Sequence, residues 1–258
     1  MAYAIATARQ AAIRPVMYAM FSTAPTPIIE FCECTLKPAS AMAYLDATAQ
    51  AAELRKSLLP LRFFSMPETG GQLNIATHAY YYVGGHMERD AGRTQMTRSP
   101  AWQRYLEKCG PFLQEQKSQV FVESPLVEKF EEIQGLSSIS EANVDGSNGI
   151  LEIRRYNLIL GYDTVPNFMK LYEGGLPSKL SAQGTDPTTS LITLLYSEVG
   201  RLNEVIEIWR HGDGTAAMER SRAAARGATP WRTSIAKIAP LAVEFTSTIH
   251  KPASFSPL

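Results

Sequence analysis

The sequence is poor in the features that usually announce a chemistry. Three cysteines in 258 residues, Cys32, Cys34 and Cys109, are too few and wrongly spaced for a disulfide framework or a zinc site, and they fit a reducing compartment. Net charge is zero, 25 basic residues against 25 acidic, so the broad positive footprint of a nucleic-acid binder is missing. Neither a P-loop nor a Gly-x-Ser-x-Gly elbow occurs. Gly212-Asp213-Gly214 follows a strand pattern and opens a helix, but Ala217 stands at the third glycine position. It reads as a turn, with Asp213 or Thr215 capping the helix, and not as a dinucleotide loop. Acid is missing from the start of the chain: residues 1–27 hold Arg9 and Arg14 and no Asp or Glu. The same arginines interrupt any transmembrane segment there. No catalytic set, metal or cofactor is assigned from the residues.

What the leader does contain is patterned. Ile13, Val16, Met17 and Met20 fall on one helical stripe in an alanine-rich background that Pro25 and Pro27 close. An amphipathic, Arg-bearing, acid-free leader predicts an organellar transit peptide over 1–27 and a mitochondrial address, with a chloroplast address as its competitor.

The strongest pattern is an internal repeat. Gly71-Gln72-Leu73-Asn74 returns as Gly200-Arg201-Leu202-Asn203, an offset of 129 that also carries Tyr80 onto Trp209, Trp102 onto Trp231 and Pro111 onto Pro240. Ile29-Glu30-Phe31 returns as Leu151-Glu152-Ile153 at an offset of 122, and the seven-residue difference is the polar insert Ser181–Pro187. Two domains are expected, 28–124 and 150–258, joined by a linker over 125–149. Each copy reads strand, helix, strand, strand, helix, strand. The first runs Ile28–Leu36, Ala39–Lys56, Leu61–Met66, Leu73–Val83, a helical stretch to Lys117, and Val120–Glu123. The second runs Ile150–Leu158, a helix Asp163–Leu180 frayed at Gly174-Gly175, Thr188–Tyr196, Leu202–Arg210, a helix from Thr215, and Val243–Thr248. A βαββαβ unit folds as a ferredoxin-like sandwich with one bare sheet face. Two copies in one chain cover those faces by packing the sheets together, so the fold expected is α+β, an intramolecular dimeric α+β barrel.

At Glu152-Ile153-Arg154-Arg155-Tyr156 and Gly200-Arg201-Leu202-Asn203-Glu204-Val205-Ile206-Glu207-Ile208-Trp209, with His78-Ala79-Tyr80, Gly84-Gly85 and Ser256-Pro257-Leu258, the chain resembles the NIPSNAP family, one domain per repeat. The resemblance implies the same barrel, a mitochondrial address, and roles in mitochondrial organisation, mitophagy signalling or vesicle-related trafficking, with no established enzyme activity. The chain departs from the family pattern at Glu207, where the family often has His, and at Tyr80 in place of Trp.

Strand alternation groups the candidate pocket residues. Asn74, His78 and Tyr80 share a face, as do Asn203, Glu207 and Trp209. Glu30 lies with Cys32 and Cys34, and Glu152 with Arg154 and Tyr156. The other faces of the two inner strands are more aliphatic and suit helix packing, so these polar sets are expected to line the barrel centre, with Arg154 pairing Glu152. Cys32 and Cys34 read as small buried residues. His78 reads as hydrogen-bonded structure, with haem ligation as the sharper alternative. Arg220, Arg222, Arg226 and Arg232 gather on one helical stretch; Arg222 and Arg226 share a face, solvated or open to an anionic partner.

The reading preferred from sequence is a non-catalytic mitochondrial protein that serves as an interaction platform for other mitochondrial proteins. Peripheral membrane association and homo-oligomers are compatible with it. The alternatives are a small-molecule- or haem-binding barrel with monooxygenase-like activity, resting on fold analogy, and a structural subunit of a mitochondrial complex.

Overall fold

Runs rich in β-branched and aromatic residues become strands, and the runs between them, bearing alanine, methionine and arginine, become helices. In the computed structural model, residues 25–139 and 149–258 are described; the expected leader up to residue 24 and residues 140–148 of the expected linker lie outside them. The first half runs β1 (Ile28–Leu36), α1 (Ala41–Gln50), α2 (Ala52–Leu58), β2 (Leu61–Thr69), β3 (Ile75–Tyr82), α3 (Gly85–Arg98), α4 (Pro100–Cys109) and β4 (Leu113–Glu123). A short helix, α5 (Pro125–Lys129), leads to β5 (Ile150–Leu158), α6 (Thr164–Leu180), β6 (Thr189–Val199), β7 (Glu204–His211), α7 (Gly214–Gly227), α8 (Thr229–Ile238) and β8 (Ala242–Pro252). The break between α3 and α4 is written in Ser99-Pro100: the Ser99 hydroxyl accepts from the Trp102 N–H at 3.2 Å, and proline opens the new helix.

The eight strands close into one antiparallel barrel in the order β1-β3-β2-β8-β5-β7-β6-β4. Each half supplies four adjacent strands, and the halves join edge to edge at β2–β8 and β4–β6. Closure removes every free edge. The repeat survives in the register: Glu30 faces Tyr80 and Cys32 faces His78 in the first half, as Glu152 faces Trp209 and Arg154 faces Glu207 in the second.

Each strand sends alternate side chains to two different cores. Ile29, Phe31, Phe63, Tyr81, Phe121, Leu151, Ile153, Ile206 and Ile208 fill the barrel centre, where the Phe31 ring meets Phe63 and Phe121 edge-on at 5.7 and 5.9 Å. The opposite faces pack under the helices, Tyr80 with Tyr44 and Trp102 in one half, Tyr156 with Phe168 and Trp231 in the other. This reverses the face assignment drawn from sequence. Glu30, His78, Tyr80, Glu152, Arg154, Tyr156, Glu207 and Trp209 lie beneath the helices, not in the barrel centre. The physical reason is partner supply: arginines and a lysine from the helices reach the carboxylates there, whereas none of α1–α4 or α6–α8 contributes to the centre. Charge on the inward face is paired: Arg155 bridges Glu33 at 2.8 Å and Glu204 at 3.3 Å.

Residues 125–139 of the expected linker pack closely: Leu126 and Ile133 join the second helix-covered core while Leu136 and Ile139 enter the barrel centre, as does Leu258. Two further expectations are corrected. Helix α6 does not fray at its glycines: a Cβ on Gly175 would lie 2.6 Å from Ser234 and 3.2 Å from the Trp231 Cα, so glycine permits the close crossing of α6 and α8. Strand β4 begins at Leu113, seven residues ahead of expectation, because backbone pairing with β1 extends through exposed polar residues that propensity does not mark.

Phe31→Ala, which empties the meeting point of three rings, is expected to destabilise the protein by about 3–5 kcal/mol. Because the wall is continuous, both halves should unfold together; urea curves followed by tryptophan fluorescence and by far-UV circular dichroism are expected to coincide.

Candidate functional site

One polar arrangement is built twice between the helices and the barrel wall. In the first half the Glu30 carboxylate, 1 % exposed, accepts from Arg89 at 2.9 Å, from Arg93, both on α3, and from Ser118 of β4 at 2.6 Å. In the second half Glu152 accepts from Arg154 at 2.6 and 3.1 Å, from Arg222 of α7, and from Ser247 of β8 at 2.7 Å, with the His211 Nε2 3.3 Å away. The offset of 129 carries Arg93 onto Arg222 and Ser118 onto Ser247. Burial pushes both carboxylates up, but the hydrogen-bonding partners outweigh it: Arg93, Ser118 and Arg89 bring Glu30 down, and His211, Arg154 and Arg222 bring Glu152 far down.

Deeper under the second set of helices lies Glu207, fully buried, which accepts from the Tyr156 hydroxyl and the Trp209 indole N–H at 2.6 Å each. Burial raises its pKa, and Lys179 and Arg154 more than reverse this, so it is ionised. Lys179 reaches it from α6, 3.5 Å from Nζ to Oε2, with the ammonium 3.8 Å from the Trp209 ring centre and 4.3 Å from that of Trp231. Burial pulls Lys179 down to about 7, with Glu207 opposing. Above these groups opens a pocket of about 530 Å³ whose walls include Glu152, Arg154, Trp209, Trp231, Arg222 and Arg226.

The first half has a counterpart of about 400 Å³, lined by Glu30, Cys32, Tyr44, Arg55, His78, Tyr80, Trp102 and Tyr105. Arg55 of α2 donates to the hydroxyls of Tyr80 and, at 2.6 Å, Tyr105. The His78 ring stacks on Phe64 at 5.2 Å and meets Tyr80 edge-on at 5.3 Å; burial, then Arg55 and Arg93, hold its pKa well down, so it is neutral. Burial, with help from Glu30, pushes the Cys32 thiol up to about 12, and burial raises Cys34, so neither is a thiolate at neutral pH.

The sequence-derived residues therefore divide. Glu30, His78 and Tyr80 come together in one pocket, and Glu152, Arg154 and Trp209 in the other, with Glu207 and Tyr156 hydrogen-bonded beside it. Asn74 and Asn203 belong to neither: each amide ties the turn before its strand to the backbone, Asn74 to the Leu36 carbonyl and Asn203 to that of Ile159 at 2.8 Å. Arg222 is not a free surface cation, because Glu152 and Ser247 hold it, whereas Arg226 stands exposed at the pocket mouth. Asp213 precedes α7 without a side-chain cap and lies 3.8 Å from Arg220. Sequence reasoning missed Arg55, Arg93, Lys179 and the site role of Trp102 and Trp231. The repeat offset already linked both tryptophans, and extended to polar residues it pairs Arg93 with Arg222. Among the described residues no three His, Cys, Asp or Glu side chains gather as a metal site, and no helix is long and apolar enough to cross a membrane.

Glu152→Gln leaves Arg154 and Arg222 facing a neutral amide and is expected to cost about 3 kcal/mol, the low end of the range because the Arg222 side chain is 38 % exposed. Glu152 is a depressed carboxylate, so its contribution is complete above the ordinary carboxylate range and fades as pH falls below about 5. Urea unfolding at pH 7 and about pH 3.5 should show the wild type losing more stability on acidification than the variant.

Solved structures share this architecture. A putative monooxygenase from Fusobacterium nucleatum subsp. nucleatum matches with a TM-score of 0.58, covering 89 % of this chain and 93 % of its own at 9 % identity. One from Lactobacillus acidophilus matches at 0.57, covering 88 % and 94 % with 9 % identity. At such identity the likeness is one of fold. A NIPSNAP family protein of unknown function from Agrobacterium tumefaciens is 31 % identical, covering 43 % of this chain and 93 % of its own, with a TM-score of 0.37. No curated protein matches the chain significantly. The NIPSNAP family model matches residues 29–126 and 151–257, one match on each half of the barrel. With most of its length accounted for by those two matches, the chain belongs to the NIPSNAP family.

Proposed function

We propose that this NIPSNAP protein binds a small, flat, mainly apolar molecule beneath α6, α7 and α8, with an anionic end at the mouth. One observation carries the reading: a pocket of about 530 Å³ in which the indoles of Trp209 and Trp231 meet Arg154, Arg222, Arg226 and Arg232. An apolar cavity of this size with a few convergent polar groups is the usual form of a ligand site. The order of elements and of strands supports reading each half as a ferredoxin-like unit with its pocket on the helix-covered face. Structures named as putative monooxygenases share the barrel, as does an anthrone oxidase-like protein at a TM-score of 0.53 and 9 % identity; this favours small-molecule chemistry by analogy alone. Haem does not fit these residues. His211 engages Thr189 and Glu152 through its two ring nitrogens, and the unpartnered Nδ1 of His78 is sealed from solvent.

The interaction-platform reading, in mitochondrial organisation, quality control or trafficking, has its own support. Leu160 and Tyr162 in the β5–α6 turn are 90 % and 103 % exposed, and the Ile159 N–H bonds to the Leu241 carbonyl, which brings exposed Val243 near them. Such a patch suits a protein partner. The mitochondrial address rests on the acid-free leader.

Native mass spectrometry of the protein purified from its own cells tests both. A small organic mass is expected on the wild type and not on the Arg226→Ala, Arg232→Ala double variant, whose changes lie on the surface. A chain free of small molecules but carrying proteins released by Leu160→Ser and Tyr162→Ser would instead establish the platform. Intact Met1 on organelle-purified chain would count against import.

A further inference from the structure

Arg55 enters the first-half pocket from α2 as a buried cation with no carboxylate to answer it. It is 3 % exposed and touches neutral groups: the hydroxyls of Tyr80 and Tyr105, and the ring faces of Trp102, Tyr105 and Phe64 at 5.1, 5.3 and 5.7 Å. Its Nε, also buried, has no partner. Burial raises the pKa of both tyrosines, so neither is an anion at neutral pH, and the neighbouring thiols are protonated. The carboxylate in the pocket wall, Glu30, is already held by Arg89, Arg93 and Ser118.

The second half shows what is missing. The strand position equivalent to His78 is Glu207, which lies 3.5 Å from Lys179 and 3.8 Å from Arg154 beneath the helices. One half sets a carboxylate beside its buried basic side chains; the other sets a neutral histidine in the same place. An uncompensated charge in a protein interior is strongly unfavourable, and an anion from outside would remove the deficit.

The route to such an anion is Tyr80. Its hydroxyl accepts from Arg55, and among the described residues its own proton has no acceptor. The guanidinium polarises that O–H and strengthens it as a donor. Leu59, Met96, Trp102 and Cys109 supply apolar wall to the same cavity of about 400 Å³, room for a ring-sized body. We propose that the first-half pocket is a binding site for a small apolar-bodied carboxylate, whose oxygen accepts from the Tyr80 hydroxyl and whose charge answers Arg55. This site shares no residue with the second-half pocket, so the two stand or fall separately.

The test is calorimetric titration of the full chain with benzoate and with its neutral isostere, benzamide. Benzoate is expected to bind at least about tenfold more tightly, and Tyr80→Phe to weaken benzoate about tenfold by removing one hydrogen bond to a charged group. Arg55→Met is expected to abolish the preference while melting no lower than the wild type, since it removes an unneutralised buried charge from aromatic surroundings. Should that variant fail to fold, Tyr80→Phe decides alone. Equal binding of the two probes, no binding of benzoate, or a preference that persists unweakened in Tyr80→Phe would overturn the proposal.

Discussion

Most of the barrel wall is buried on both faces, outside the exposed stretches of β4 and β8, and the other features follow from that constraint. Eight antiparallel strands close through the β2–β8 and β4–β6 joins, leaving no edge for solvent to pair. A strand in such a wall must satisfy an inner core and an outer one at once. The inner core takes the Ile, Leu and Phe set, because a space enclosed by strands has few groups to satisfy a polar atom. The outer core lies under helices, whose long cationic side chains reach down to the wall. The pockets are the gaps these helices leave.

The duplication makes the molecule its own comparison. Glu30 and Glu152 hold the same place on β1 and β5, each bound by an arginine from the helix after the second strand turn and by a serine from the last strand of its half. That shared frame positions the pockets, and the halves then diverge inside it. His78 with Arg55 replaces Glu207 with Lys179, Tyr80 replaces Trp209, and Cys32 replaces Arg154. The first pocket keeps a surplus of buried positive charge; the second balances its lysine internally. Such divergence on a common frame is what two different ligand preferences would require.

Much of this was legible in the residues. The repeat offsets gave the two halves, the order of strands and helices, and the grouping of Glu30 with Cys32, or Glu207 with Trp209, on single faces. Other features were not. Alternation sorts a strand's side chains into two sets but is silent on which set faces which core, and here the aliphatic set went inward. The glycine pair Gly174-Gly175 also misled, since a helix crossing, not fraying, needs it, and no local pattern assigns Leu136 and Ile139 to the barrel centre. The Arg93 and Arg222 partners of the carboxylates sit about 60 to 70 residues from them, beyond the reach of any local pattern.

The sequence by itself determined what is carried by short-range periodicity and by self-similarity: the family, the duplication, the element order, and the residues that share a face. Only the tertiary structure decided where those faces point, that the two sheets join edge to edge, and that Arg55 is buried without a counter-charge while Lys179 is not. The reason is that periodicity is a property of a strand or helix taken alone. Charge compensation and burial depend on which elements meet, and the closed wall sets those meetings.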